Sequence, residues 1–333
     1  MPAVQPRPTL ADVARLAGVS AKTVSRVYAD PETVSPQTAS RVRAAAERLR
    51  FRPNLLARQL RHGGLTRTLA FVTSELLNPF TVEVAAGIEE ECAAHGYTML
   101  LATTDDAGER EVIDAMLAQR VRSLLLIPVG DDHSYLDAER SLGAAIVAID
   151  RPVQNLLADS VVLANREGGR RATRVLLEHG HRRIAYVCNP AGLHSQQERL
   201  AGYREALAEA GIEPDRRWEH TSDDRHVTLE SLVAAVLDAP DSPTAVIGGN
   251  NRATIAALRM LKQRGRELAL IGFDDFSTAD LLDVSVIAHD PAELGRTATR
   301  LALRRLEDPT GVTSHLTLPV RYIPRGSAEK PPA

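Results

Sequence analysis

Beyond residue 67, short apolar runs alternate with segments of helical periodicity almost to the end of the chain. The runs TLAFVT, SLLLIPV, AAIVAID, RIAYVC, TAVIGG and LALIGF are separated by amphipathic stretches of helical length. Runs this short and this apolar are typical of strands buried on both faces, with helices covering those faces. Two cycles of similar size therefore predict an α/β core of two Rossmann-like lobes, with a ligand cleft beyond the carboxyl ends of the strands.

The expected core occupies residues 67–326. We expect the N-terminal lobe to contain residues 67–164 and 290–320, and the C-terminal lobe residues 165–289 and 321–326. The last residues, 327–333, are expected to form a disordered tail. This tail carries no leucine heptads.

The N-terminal part of the chain differs from the rest in charge. The whole chain has a net charge of −3, but residues 1–62 contain 11 Lys and Arg against 4 Asp and Glu, a net of +7. Residues 63–333 contain 29 Lys and Arg against 39 Asp and Glu, a net of −10. A basic module on an acidic body indicates that the N-terminal module binds nucleic acid.

Within the basic module, residues 9–26, TLADVARLAGVSAKTVSR, predict two short helices joined by a tight turn. Thr9 and Ser20 are suitable N-cap residues, and Gly18 suits the left-handed end of the first helix. A third helix is expected from Pro36 to about residue 50. This pattern predicts a helix-turn-helix, which lays its second helix in the DNA major groove. A three-helix bundle with a basic surface would show the same periodicity.

Long stretches of the chain resemble one family of bacterial transcription factors. TLADVARLAGVSAKTVSRV, followed by VSPQTASRVRAAAERLRFRPNLLARQLR, is similar without gaps to the headpiece of the lactose-repressor (LacI/GalR) family. The runs LLNPF, VAIDRP, ERLAGYREAL, PTAVIGGNN and LALIGFDD continue the resemblance. It implies an all-α helix-turn-helix headpiece over residues 1–52, a hinge helix and linker over 53–66, and a periplasmic-binding-protein-like effector domain.

The resemblance implies DNA-contacting roles for the second helix and its surroundings. Ala21 and Lys22 align with the family's main base-reading pair, and Arg26 aligns with a further base contact one turn later. Lys22 can reach guanine acceptors, whereas the Ala21 methyl group offers only apolar contact. The side chains suited to phosphate contacts, which position a protein without specifying sequence, are Thr9, Ser20, Thr23, Ser25 and Asn54.

Residues 53–60, PNLLARQL, align with the family's hinge helix, which folds on specific DNA and pairs with its twofold mate. Eight residues are too few for a stable isolated helix in water. Leu60 is the aligned minor-groove wedge, and Ala57 allows close approach to the DNA. The alternative is an amphipathic linker whose leucines pack on the next domain.

The resemblance also implies a set of effector contacts in the cleft. Arg199 matches an arginine that hydrogen-bonds the effector, and Asp150 matches a polar contact at a strand end. Asn250 and Asp274, each just past a strand, match positions that exchange hydrogen bonds with hydroxyl groups. Such a set suits a neutral polyol. The aligned effector contacts are Phe80, Asp150, Arg199, Asn250, Asp274 and His289.

Structural alternatives exist for several of these residues. Phe80 could belong to the core, Asp274 could cap a loop, and Arg199 could pair with Glu198 or Glu205 on a helix surface.

Some positions depart from the family pattern. Asn250-Asn251 stands where the family usually has Asn-Asp, and His289 where it often has a glutamine. These departures leave the identity of the effector open.

Motifs of catalysis and cofactor binding are absent from the sequence. No GxGxxG or GxxxxGK[ST] follows a predicted strand, and HExxH, CxxC and GxSxG do not occur. The chain is therefore not expected to be an enzyme or to hold a cofactor or metal. Cys92 and Cys188 are expected as buried free thiols in a reducing cytoplasm. Without an apolar run of membrane length or a secretory signal, neither a membrane partner nor export is expected.

These features predict a cytoplasmic, homodimeric transcriptional regulator with two partners, double-stranded operator DNA and a small-molecule effector. Its expected role is repression of a carbohydrate catabolic operon, relieved at a pseudo-palindromic operator by a sugar-like effector. The alternative within this class is a nucleoside- or sugar-phosphate-responsive regulator that acts by corepression or activation. A solute-binding protein would share the core but would not need a basic headpiece.

We expect Lys22→Ala to relax sequence specificity more than it lowers non-specific affinity, because a lysine on a guanine reads a base while the phosphate contacts stay intact. Discrimination at the base pair that Lys22 reads, about 1–3 kcal/mol, should be lost. Competition binding across a panel of operator variants measures this change, with Lys262→Ala as the control. An unchanged preference across the panel would refute the role of Lys22.

Overall fold

The computed structural model describes residues 8–52, 66–105, 107–224 and 226–332. These residues belong to two compact units, the first ending at Thr66 and the second beginning at Arg67. We describe the first unit as the headpiece and the second as the core.

The headpiece is built from helices whose apolar faces meet at Val13, Val24 and Val42, none of which has exposed surface. Each helix contributes one of these valines, so the small core holds all of them together. The helices are α1 (Leu10–Ala17), α2 (Ala21–Ala29) and α3 (Pro36–Arg48).

Local capping fixes where the headpiece helices begin and end. The Thr9 hydroxyl accepts from the backbone N–H of Asp12, and the Asp12 carboxylate accepts from the backbone N–H of Thr9, which completes a capping box. Gly18 ends α1 with φ +66°, a left-handed conformation that favours glycine. Ser20 then caps α2 by accepting from the backbone N–H of Thr23. The predicted turn between the two helices is confirmed.

The core alternates strands and helices along the chain. The strands are β1 (Thr68–Thr73), β2 (Thr98–Thr103), β3 (Ser123–Leu126), β4 (Ala145–Asp150), β5 (Asp159–Leu163), β6 (Ile184–Cys188), β7 (Glu219–Thr221), β8 (Ala245–Gly248), β9 (Ala269–Phe273), β10 (Ser285–Ala288), β11 (His315–Leu318) and β12 (Arg321–Ile323). The helices are α4 (Pro79–Ala94), α5 (Glu109–Ala118), α6 (Asp137–Ser141), α7 (Asn165–Glu178), α8 (His194–Glu209), α9 (Leu229–Leu237), α10 (Asn251–Arg264) and α11 (Pro291–Glu307).

The strands form two sheets, one in each lobe. In the N-terminal lobe the order is β11-β5-β4-β3-β1-β2, and every neighbouring pair is parallel. In the C-terminal lobe the order is β12-β10-β9-β8-β6-β7, parallel except for β12 against β10. The central strands β1, β3, β4, β6, β8 and β9 are buried on both faces, which explains their continuous apolar sequences. The predicted architecture, an all-α headpiece and two Rossmann-like lobes, is confirmed.

The predicted disordered tail is wrong for residues 327–332, which pack on the C-terminal lobe. Ala328 is fully buried, and the Ser327 hydroxyl donates to the Leu270 carbonyl at 2.5 Å. The carbonyl of Lys330 accepts from Nε2 of His181 at 2.8 Å. The tail is ordered by partners 57 and 149 residues away, which its own composition cannot reveal.

Glycines set how closely α7 and α8 pack. A Cβ atom at Gly202 would stand 1.9 Å from the Arg166 carbonyl oxygen, and one at Gly169 would stand 2.0 Å from the Arg199 carbonyl oxygen. Both contacts are with backbone, which cannot move aside without shifting a helix. Only residues without a Cβ therefore allow this helix pair to form.

We expect Gly202→Ala to destabilise the core, because its methyl group overlaps the backbone of α7. Overpacking of this kind costs about 1–3 kcal/mol. The control is Ala208→Gly on the exposed side of the same helix, near its C-terminal end, where the cost through helix propensity is at most about 1 kcal/mol. Urea unfolding followed by circular dichroism compares the two variants, and a Gly202→Ala midpoint at or above that of the control would contradict the packing argument.

Candidate functional site

The surface predicted to read DNA lies at the start of α2. Ala21, Lys22 and Arg26 are exposed there, with Arg26 one turn after Lys22, while the predicted phosphate contacts Thr23 and Ser25 are partly buried. The hydroxyls of Thr9 and Ser20 serve as helix caps. A capping hydroxyl lies beside the free N–H groups at a helix N-terminus, where an anion such as a phosphate is favoured.

The remaining predicted DNA contacts are Asn54, Ala57 and Leu60. They lie outside the residues that the structure describes, together with the rest of the predicted hinge segment. Their roles stay predictions.

A cleft of about 620 Å³ lies between the two lobes of the core. Its walls come from residues at or just beyond the carboxyl ends of strands in both sheets, such as Ser74 after β1, Asp150 at the end of β4, Asn189 after β6 and Asp274 after β9. This is where open parallel sheets bind ligands. The predicted effector contacts that line the cleft are Phe80, Asp150, Arg199, Asn250 and Asp274.

Arg199 is held at the centre of the cleft wall with only 4% of its surface exposed. Its Nε donates to Asn165 Oδ1 at 2.7 Å, and its Nη1 donates to the Gly249 carbonyl at 2.8 Å. The guanidinium stacks on the Phe273 ring, with Cζ 4.2 Å from the ring centroid. Since a guanidinium has five N–H donors, several are left for a ligand.

The alternative that Arg199 pairs with Glu198 or Glu205 is wrong. Those carboxylates bind Arg166, at 3.0 Å and 3.2 Å respectively. Arg199 instead faces Asp274, with Nη2 and Oδ1 3.8 Å apart. That separation exceeds a direct hydrogen bond, so a hydroxyl can be placed between the two charges.

Asp150 and Asp274 occupy equivalent places in the two lobes, each at or just past the end of a central strand. Both have left-handed backbone conformations, with φ of +70° and +67°. Non-glycine residues adopt this conformation rarely, and strain of this kind costs about 1–3 kcal/mol and concentrates at functional sites. The strained turn directs each carboxylate toward the cleft instead of continuing the strand.

His289 lies behind the cleft wall. Its side chain is 2% exposed, and its Nδ1 is 3.8 Å from Asp274 Oδ1. The ring also packs against Phe80 from the other lobe, with centroids 5.4 Å apart. Burial lowers the pKa of His289, an effect that Asp274 opposes only in part, so the ring is neutral near pH 7. His289 therefore supports Asp274 and Phe80 from behind. Phe80 itself both lines the cleft and packs on the core of the N-terminal lobe.

Asn250 is largely occupied within the protein. Its Oδ1 caps α10 by accepting from the Ala253 N–H at 2.8 Å, and its Nδ2 donates to the Asn189 carbonyl at 3.1 Å. The next residue, Asn251, was not expected in the site, yet it lines the cleft and is 4% exposed. Its backbone N–H donates to Asp274 Oδ2 at 3.2 Å.

Two polar contacts join the lobes across the cleft, and we name them the interlobe latch. Asn251 Nδ2 donates to Asn78 Oδ1 at 2.9 Å, and Arg252 Nη1 lies 3.1 Å from Glu75 Oε1. The partners are 173 and 177 residues apart in sequence, so no local pattern reveals them. The one local signal is the Asn78-Pro79 pair, which marks the start of the helix that follows β1 and so places Asn78 near the cleft.

Comparisons with known proteins agree with this architecture. Residues 9–54 match the family model of bacterial regulatory proteins of the lacI family, and residues 173–328 match a periplasmic binding protein-like domain. The ribose operon repressor of Haemophilus influenzae is 31% identical over 312 residues, covering 90% of this chain and 92% of that protein. The chain belongs to the lacI family.

Solved structures extend the agreement between this chain and the lacI family. The lac repressor dimer bound to operator and the anti-inducer ONPF has a TM-score of 0.83 and 26% identity, covering 97% of this chain and 99% of that chain. The transcriptional regulator CelR in complex with cellobiose has a TM-score of 0.72 and 33% identity, covering 96% and 100%. As a member of the lacI family, the chain is a DNA-binding transcriptional regulator with a ligand-binding core.

Two further findings concern the described part of the chain. None of its helices is long and apolar enough to cross a membrane. Within the same residues, no group of His, Cys, Asp and Glu side chains is arranged to hold a metal ion. Cys92 and Cys188 are both free and buried, as expected.

We expect Asn251→Ala to open the effector-free cleft. The lost hydrogen bond is worth about 1 kcal/mol, which corresponds to roughly a fivefold change in the ratio of closed to open molecules. Spin labels on Glu111→Cys and Lys262→Cys, one exposed position in each lobe, report the interlobe distance by electron paramagnetic resonance, because both native cysteines are buried.

The control for this experiment is Arg259→Ala. It lies on the same helix but breaks an ion pair with Glu230 inside the C-terminal lobe, 2.7 Å in length. If Asn251→Ala and the control give the same distribution of interlobe distances, the interlobe latch does not hold the cleft closed.

Proposed function

We propose that this protein is a homodimeric repressor of a carbohydrate catabolic operon, released from a pseudo-palindromic operator when a sugar binds between the lobes. We expect it to act in the bacterial cytoplasm, where its operator lies. The observation that carries the proposal is the convergence of Arg199, Asp150 and Asp274 on one cleft, in a chain whose N-terminal unit is a helix-turn-helix.

The cleft supports a polyhydroxy ligand. Each hydroxyl both donates and accepts, and the pair formed by Arg199 and Asp274 offers donors on one side and acceptors on the other. Phe80 adds an apolar ring face on the N-terminal lobe. The repressors that this chain resembles include a ribose operon repressor, and the CelR structure contains cellobiose, so sugars are bound or sensed by close family members.

The proposed coupling runs from the cleft to the DNA. A sugar that bridges Asp150 in one lobe and Arg199 in the other binds only when the lobes are together, so it changes their relative populations. The predicted hinge segment, including Leu60, would then lose the spacing that it needs on the operator. Only a difference in affinity between the two protein states can release the DNA.

The proposal is tested in two steps with the full-length protein. First, selection from random DNA identifies a high-affinity operator. Second, pentoses, hexoses, disaccharides and nucleosides are screened by thermal shift, since a ligand at 100 times its Kd adds about 2.7 kcal/mol of stability. At least one sugar should stabilise the protein and lower operator occupancy, measured by fluorescence anisotropy.

Arg199→Ala should abolish the response to this sugar while operator binding persists. The matched control is Arg166→Ala, which removes a surface arginine bound to Glu198 and should leave the sugar response intact. If nucleosides alone stabilise the protein, or if a bound sugar leaves operator occupancy unchanged, the proposed function is wrong.

A further inference from the structure

We propose that the effector cleft selects against anions, so that its ligand is an uncharged or amino-bearing saccharide and never a sugar phosphate or sugar acid. This inference rests on the proposed function, because it names the chemical class of the effector for the same cleft. Three observations carry it: the net negative charge of the cleft wall, the carboxylate that lies beside each arginine of the wall, and buried amide oxygens that have no hydrogen-bond partner.

The cleft wall is acidic. Among the described residues that line it there are seven carboxylates and three guanidiniums, a net of four negative charges. The lining carboxylates are those of Glu75, Asp105, Asp131, Asp150, Asp223, Asp224 and Asp274.

Each arginine of the wall lies beside a carboxylate of the protein. Arg252 pairs with Glu75 at 3.1 Å in the interlobe latch. Arg151 donates from Nε to the Pro128 carbonyl at 2.5 Å and lies 4.0 Å from Asp150. Arg199 is bound as described above and faces Asp274. A phosphate on any of these guanidiniums would either displace the neighbouring carboxylate or lie beside it and meet its charge.

Helix N-termini, the other common anion sites, are also occupied. At the start of α10, the Asn251 N–H donates to Asp274 and the Ala253 N–H donates to Asn250. At the start of α4, Pro79 has no N–H and the Phe80 N–H donates to Asn78 at 3.2 Å. The protein's own oxygens thus fill the positions that a phosphate would take in other proteins.

The start of α8 differs, because no side chain caps it. However, Asp223 accepts from the Gly192 N–H at 2.6 Å, which places a carboxylate two residues before the helix begins. A hydroxyl group suits this place, since it can accept from the free N–H groups of the first turn and donate to a nearby carboxylate. An anion can only accept and would meet the charge of Asp223.

Partnerless acceptors complete the pattern. Oδ1 of Asn251 is buried without a hydrogen-bond partner, and so is Oδ1 of Asn189 in the same wall. The oxygen and nitrogen of the Asn251 amide cannot be exchanged. The Phe80 N–H donates to Asn78 Oδ1, which fixes that atom as an acceptor, so the Asn251 atom that faces it must be the donor Nδ2. Only a hydrogen donor, such as a hydroxyl or an ammonium group, can satisfy these atoms once a ligand is admitted to them, and a phosphate or carboxylate cannot.

The test compares charge forms of the same sugar on the full-length protein. Glucose, glucosamine, glucose 6-phosphate and glucuronic acid form one series, and galactose, mannose and ribose provide further series. Calorimetry and thermal shift give the affinities, and anisotropy gives operator occupancy. In every series with a binding member, we expect the uncharged or amino form to bind at least tenfold tighter than the phosphate and the acid.

Aspartate variants test the cause of the discrimination. Asp131→Asn in one lobe and Asp224→Asn in the other should each reduce the discrimination against the phosphate several-fold. The control, Asp137→Asn, removes a carboxylate that pairs with Arg140 outside the cleft and should not change it. If neither cleft variant changes the ratio of the affinities for the parent sugar and its phosphate, the electrostatic argument is overturned.

The outcomes separate this inference from the proposed function. A phosphate or acid that binds as tightly as its parent sugar, and releases the operator, overturns the inference and leaves the sugar-responsive repressor standing. If neither these charge forms nor any sugar of the thermal-shift screen binds, the proposed function falls and this inference falls with it. Preferential binding of an uncharged or amino sugar with release of the operator supports both.

Discussion

The burial of the Arg199 charge is the constraint on which the C-terminal side of the cleft depends. A guanidinium that is 4% exposed is stable only if its donors are satisfied and an opposite charge lies near. Those partners come from separate parts of the chain: Asn165 begins α7, Gly249 follows β8, and Asp274 follows β9. The hydrogen-bond and charge partners of Arg199 therefore hold the carboxyl ends of neighbouring strands close together around its guanidinium. The guanidinium donors that remain face the cleft.

Backbone conformation and close backbone packing also help to position the polar residues of the cleft. Gly169 has no Cβ, and this allows the carbonyl of Arg199 to approach α7 at a distance that any other residue would block. The left-handed turns at Asp150 and Asp274 cost conformational energy, which the buried strands before them offset, since each fully buried large apolar side chain contributes about 1.5–3 kcal/mol. The apolar core of each lobe is thus what holds a strained polar residue at the cleft.

Sequence reasoning predicted the parts of the fold that depend on local chemistry. Caps such as Thr9 and Ser20, the left-handed Gly18 and the apolar strands each act within a few residues, so their signals are readable in one window. Family resemblance further identified the cleft residues Arg199 and Asp274. Neither route could find the contact of Asn78 with Asn251, whose partners are 173 residues apart, or the burial of Ala328, because these depend on how distant segments meet. The behaviour of His289 shows the same limit, since alignment gives its position but not that it stands behind the wall.

The uneven charge along the chain now has two separate consequences. The headpiece carries a net of +7 and the rest of the chain a net of −10, so the phosphate backbone of DNA is attracted to one unit and repelled by the other. The described residues that line the cleft contribute a net of four negative charges to the core, and there they act on the effector instead. Elsewhere in the core, arginines are paired with carboxylates on the surface, as Arg166 is with Glu198 and Arg300 with Glu91, and these pairs contribute little to the net field. The net negative charge of the core is therefore enough to repel DNA. The same excess of carboxylates excludes anionic ligands from the cleft.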